Sequence, residues 1–143
     1  MMRMTRQDDL VRALRGLDED VRRRVAPEAM VAAAQPIAEE ARSRAPRNTG
    51  YGASVIDVGL WDESDTLARV AVGPGASGGR ASRRDGFYLL FSEIGTGPRT
   101  DRNGADRGSM PRAPFLRPAL DNQSGAALRI ARQKIREALG RAQ

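Results

Sequence analysis

One long apolar run broken by a single carboxylate, Phe87-Tyr-Leu-Leu-Phe-Ser-Glu-Ile94, constrains this chain more than any other feature, together with the Pro111-Arg-Ala-Pro-Phe-Leu-Arg-Pro-Ala-Leu120 segment that follows it. The pattern predicts a strand over 87–94, a polar loop over 95–113, and a proline-bracketed Phe115-Leu116 pair entering a helix. Strand alternation would set Tyr88, Leu90, Ser92 and Ile94 on one face and Phe87, Leu89, Phe91 and Glu93 on the other. Buried charges are normally paired. Glu93 is therefore expected to accept backbone amides of the Gly95-Thr96 turn or to meet an Arg of a neighbouring molecule. The segment carries no evident chemistry and reads as a scaffold for docking.

The rest of the composition supports a small core and excludes much of catalysis. Trp61, Tyr51, Tyr88, Phe87, Phe91 and Phe115 are the only aromatic rings in 143 residues, so the interior must rest on Ala, Leu, Val and Ile. That length fits one domain over 1–143 with a modest core. There is no His and no Cys, which removes Ser-His and Cys-His nucleophiles, ordinary zinc sites and disulfide frameworks. No catalytic, cofactor or metal residues are assigned, and the expectation is a non-enzyme. The charged N-terminus does not resemble a secretory leader, and no stretch approaches the roughly 20 apolar residues of a membrane span. Synthesis in a cytoplasm, with no membrane partner, is expected.

The net charge of +6 is unevenly placed. Residues 80–112 carry seven Arg against four acids, and 113–143 carry six bases against two acids. Only these two segments are clearly basic. The arginines of the loops, Arg80, Arg83, Arg84, Arg99, Arg102, Arg107 and Arg112, suit phosphate contact without base reading. They are not interleaved with aromatic rings, so a stacking platform for single strands is not expected.

Periodicity organises the remainder as α+β: N-terminal helices, a small antiparallel β-sheet, and a C-terminal helix packed on the sheet. Leu10, Leu14, Leu17, Val21 and Val25 share one face of a first helix. A second helix is expected to open at Pro27, with Val31, Ala34, Ala38, Ala41 and Ala45 on one side, a kink at Pro36, and a stop at Ala45-Pro46. Two β-like runs, 53–60 and 67–72, predict a hairpin. Glycine-rich and arginine-rich loops at 73–86 and 95–113 are long for a compact domain, where loops over about 12 to 15 residues are uncommon, and are expected to be flexible until assembly orders them. The closing helix should begin near Phe115 or after Asp121 and reach about Leu139.

Two further candidates yield to simpler accounts. The tract Gly73-x4-Gly78 continues with Gly79 and Arg80 where a phosphate-binding loop needs Lys and Ser or Thr. Asp62, Glu63 and Asp65 lack the spacing of a calcium loop and read as a solvated turn. A carboxylate hydrolase built on Glu93 and the Asp62 cluster ranks last, because no second group can be set beside Glu93.

The order Ala41-Arg-Ser-Arg-Ala-Pro46-Arg-Asn-Thr-Gly50, Val72-Gly-Pro74, Tyr88-Leu-Leu-Phe-Ser-Glu-Ile-Gly-Thr96 and Pro114-Phe-Leu-Arg-Pro-Ala-Leu120 resembles the neck or tail-completion proteins of long-tailed bacteriophages, the group that includes minor tail protein Z. The resemblance runs over about 10–140. Tyr51-Gly-Ala-Ser-Val-Ile56 departs from the Leu and Ser-Ile usual after the Thr-Gly, and the 95–113 loop is longer than the short polar link of that group. The resemblance implies a structural virion protein that joins head to tail. Its partners would be further copies in a ring, a hexamer ahead of a dodecamer, with head-closure, tail-terminator or tail-tube subunits as neighbours and genomic DNA in the channel. Glu93, Gly95, Thr96, Pro114, Phe115, Leu116, Arg117 and Pro118 are the expected subunit contacts, with the seven loop arginines facing DNA. The rival reading is a nonspecific double-stranded DNA-binding protein.

Overall fold

In a computed structural model, residues 19–47, 51–63, 68–78, 86 and 88–141 are described. Of the first helix expected from Leu10 to Val25, the part carrying Leu10, Leu14 and Leu17 lies outside them, as do residues 64–67 and Arg80, Arg83 and Arg84 of the first loop; Val21 and Val25 fall in the long helix that follows.

The long first helix, α1 (Glu19–Arg44), does not open at Pro27 but runs through both Pro27 and Pro36. Each proline removes an i→i−4 hydrogen bond. Burial of an alanine face offsets that loss: Ala29, Ala33, Ala34, Ala38 and Ala41 are all buried, Ala38 and Ala41 completely. Small side chains let neighbouring backbones approach closely. Ala45 donates to the Ala41 carbonyl at 2.9 Å, and Pro46 ends the helix as its sequence predicts.

A four-residue helix, α2 (Tyr51–Ser54), leads into a hairpin of β1 (Ile56–Glu63) and β2 (Ala68–Pro74). The hairpin is as predicted but its first strand is displaced, with Ala53 and Ser54 helical and Trp61, Asp62 and Glu63 part of β1 instead of lying in the turn. The pair is antiparallel, from Ile56 opposite Pro74 to Glu63 opposite Ala68, with a bulge at Trp61. After β2, a 3₁₀ turn (Ala76–Gly78) folds back against β1. Gly59 makes that approach possible, because a Cβ there would lie 1.8 Å from the Ala76 carbonyl oxygen. The same oxygen accepts the Trp61 indole N–H at 3.0 Å, and the Asp57 carboxylate accepts both the Ser77 amide and its hydroxyl.

The predicted third strand is instead a helix, α3 (Leu89–Ile94). Leu89 and Ser92, three residues apart, share its buried side, which a strand would have put on opposite faces. A short apolar run cannot by itself distinguish the two structures. Local hydrogen bonds decide it: Leu89 donates to the Gly86 carbonyl and Phe91 to that of Tyr88. Gly95, at φ +73°, ends α3 and donates to the Phe91 carbonyl at 2.8 Å.

The chain closes with α4 (Leu116–Arg141). It packs along α1, which also packs on both strands. Glu40 meets Asn122 and Gln123, while Val25 and Glu28 share a hollow with Lys134 and Arg141, so α1 and α4 run antiparallel. The first turn of α4 reaches the sheet, giving the α+β arrangement expected. Phe115, Ala119, Ala41, Ala45, Ile56 and Leu89 form one buried cluster, with Val72 and Leu116 packed against it.

Candidate assembly interface

Residues 95–113, expected to be a loop, are a hydrogen-bonded arm. Bridges pair Thr96 with Met110 and Thr100 with Asp106. Between them the Arg99 amide donates to the Gly108 carbonyl at 3.1 Å and the Arg107 amide to the Arg99 carbonyl at 2.7 Å. At the tip, the Asp101 carboxylate accepts the amides of Asn103 and Ala105, each at 2.9 Å, and the Arg107 guanidinium at 2.8 Å. The Ala105 and Asn103 amides, with Arg107, hold Asp101 below its ordinary range despite partial burial. From Gly97 to Pro114 every residue except Asp101 is exposed. The arm's order therefore comes from its own hydrogen bonds and not from a core.

Its base is clamped by Glu93. This side chain does not turn to the Gly95-Thr96 amides as expected. Oε2 accepts the amides of Phe115 at 2.6 Å and Leu116 at 2.9 Å, and Oε1 accepts that of Arg117 at 3.0 Å. Glu93 thus satisfies three orphan donors at the start of α4 and puts a negative charge at the positive end of the helix dipole. Burial works to raise its carboxyl, but these three amides and the Arg112 charge outweigh it, holding Glu93 below its usual value. Arg112 also donates to the Glu93 carbonyl at 3.2 Å, and the Ala113 amide to the Ser92 carbonyl at 2.8 Å. Glu93 is a cap and an anchor, and both its oxygens are engaged.

The other expected contacts separate by depth. Phe115 is only 1% exposed and belongs to the core, so its ring is not available to a neighbour as the sequence reading supposed. Leu116 and Pro118 are half-buried, and Pro114 is exposed. Gly95 and Thr96 are half-buried at the arm's base. Arg117 is exposed and pairs with Asp121 at 3.2 Å. Of the loop arginines within the described residues, Arg99, Arg102, Arg107 and Arg112 are all exposed on the arm. Arg107 and Arg112 already have the partners named above.

Sequence reasoning missed two features. Taken as a strand, 87–94 hid an exposed apolar surface on α3, where Leu90 is 54% and Ile94 59% exposed. Their i, i+4 spacing was visible, but the helix that brings them together was not. Glu40, unremarkable in sequence, accepts hydrogen bonds from Asn122, Gln123 and Arg44, tying α1 to α4. Those amides and Arg44 lower its pKa despite some desolvation. Nothing local marks a contact made across more than 80 residues. Beside these lies an apolar groove of about 530 Å³ between α1, β2 and α4, lined by Met30, Ala33, Ile37, Val70 and Leu120.

Among the described residues no group of His, Cys, Asp and Glu could hold a metal ion, and no helix is long and apolar enough to cross a membrane. Searches of curated proteins and of solved structures found no significant match. A family model, described as "Bacteriophage HK97-gp10, putative tail-component", matches residues 8–95, more than half of the chain, covering α1, the hairpin and α3 and ending where the arm begins. On that match, the chain belongs to the HK97-gp10-like family of phage tail components.

Proposed function

We propose that the chain, acting as one domain over residues 1–143, is a structural virion subunit that forms a closed ring at the joint between phage head and tail, around the DNA channel. The observation that carries this reading is the arm: 18 residues, 97 to 114, all exposed but for the half-buried Asp101, held in a defined shape by hydrogen bonds and anchored by Glu93. Such a segment adds little to its own fold, because it buries almost no apolar surface. Shape without burial suits a contact made with another molecule.

A ring repeats one heterologous interface, so each subunit needs two unlike surfaces. The arm with its anchored base is one candidate, and the apolar side of α3 with Leu90 and Ile94 is the other. A hexamer is proposed ahead of a dodecamer, with other neck and tail proteins stacked on its two faces. Mass measurement of the purified protein and of isolated necks tests this. The expected result is a single closed oligomer in necks, and a monomer in both settings would defeat the proposal.

A further inference from the structure

The arm is not the strongest phosphate-binding surface of this molecule. Two of its four arginines are engaged within the chain: Arg107 by Asp101, and Arg112 by the Glu93 carbonyl. On α4, by contrast, Arg129, Arg132 and Arg136 recur at three- and four-residue spacing, which sets them on one side of the helix. All three are exposed. No ion pair or hydrogen bond joins their guanidinium groups to any described residue. They line a shallow hollow with Gln133 and Glu137, and that carboxylate accepts the Gln133 side chain at 2.9 Å instead of an arginine. Like charges on one helix face repel one another, and no ion pair among the described residues neutralises any of the three.

We infer that this stripe is a binding site for the phosphate backbone of duplex DNA. The dimensions fit. Seven residues of helix place the outer arginines about 10 Å apart along the axis, a distance over which one strand of B-DNA presents about three phosphates. The guanidinium fork favours bidentate phosphate contact, and a helix face fixes the spacing without selecting bases. An acidic protein surface fits less well. The stripe has no apolar anchor among its lining residues, and protein interfaces concentrate their energy in desolvated anchors. This inference extends the ring reading without depending on it. The salt dependence of DNA binding tests the stripe, whereas the mass measurement tests the ring.

The experiment is a titration of the full-length protein against a fluorescent 20-base-pair duplex of mixed sequence over a range of salt concentrations. Oligomeric state is measured alongside. Three phosphate contacts correspond to a slope of log K against log salt of about −2.7 per chain. Joint replacement of Arg129, Arg132 and Arg136 by Gln should remove that component, while Arg99→Gln with Arg102→Gln should leave it in place. Gln keeps helix propensity and the three positions are exposed, so unchanged circular dichroism is expected and separates lost binding from lost fold. An undiminished slope in the α4 variant would overturn the inference. So would failure of the wild type to bind duplex at 50 mM salt, or displacement of the duplex by polyglutamate of equal charge at lower concentration.

Discussion

Glu93 shows how one side chain can determine the geometry of a surface it does not itself present. It bonds three amides at the start of α4 while its own helix ends two residues later at Gly95. Glu93→Gln replaces one acceptor oxygen with an NH2 group facing backbone donors. The expected cost is about 1–3 kcal/mol, read as a lower urea midpoint at pH 7. Because the Glu93 carboxyl titrates lower in the folded protein than its ordinary 4.5, the unfolded chain binds its proton more readily. Its stabilisation is present above about that value and lost as pH falls through the folded pKa. Urea midpoints measured from pH 7 down to pH 3 should therefore fall less steeply in Glu93→Gln than in the wild type. Part of the fall should persist, since Glu40 and Asp101 are shifted in the same direction. Gly59 is a second residue with a single physical requirement. A methyl group there meets backbone, not a movable side chain, so Gly59→Ala should displace the 3₁₀ turn from β1 and cost about 1–3 kcal/mol. A change in Trp61 fluorescence would report it, through loss of the bond to the Ala76 carbonyl.

At the scale of elements, the arm and the helices obey different rules. The helices are held by burial, as the alanine face of α1 shows by carrying two prolines without a break. The arm is held by hydrogen bonds among exposed residues, each of modest net worth. Replacing residues 97–109 with a two-residue turn between Thr96 and Met110, which already pair, should leave the thermal midpoint of the monomer within a few degrees of wild type. Ring formation should be lost. An arm-deleted chain that still assembled would remove the arm from the interface and leave α3 as the surface to examine. The existence of the hairpin β1–β2, though not its exact bounds, the end of α1 at Pro46 and the earlier of two expected starts of α4, near Phe115, were legible in sequence, because each rests on a local signal: alternation, the restriction before proline, or proline bracketing. The identity of α3 was not, since eight apolar-rich residues satisfy both periods until Gly86 and Gly95 define its ends.

For the whole molecule, the small supply of large apolar residues has a direct consequence. Among the described residues one cluster joins α1, the sheet, α3 and α4, with Phe115 its largest fully buried side chain. Phe115→Ala should cost about 3–5 kcal/mol, a large share of the 5–15 kcal/mol typical of a domain, and should lower one cooperative unfolding transition rather than split it. Calorimetry would check both points. The oligomer mass and the salt slope described above are the corresponding tests beyond the monomer.

Sequence by itself determined the α+β class, the hairpin, the two basic segments, the absence of imidazole and thiol chemistry, and a resemblance to phage neck and tail-completion proteins that agrees with the family match. These follow from composition, local pattern and motif order, which need no knowledge of distant contacts. Only the tertiary structure decided that Glu93 caps a helix 22 residues away, that Phe115 faces inward, that Glu40 ties α1 to α4, and that three arginines of α4 stand together without partners among the described residues while two on the arm are engaged. Each of these depends on which groups become neighbours when α1, the sheet and α4 close on one core. Pairing across such separations is set by the packing of the whole chain, and no local pattern records it.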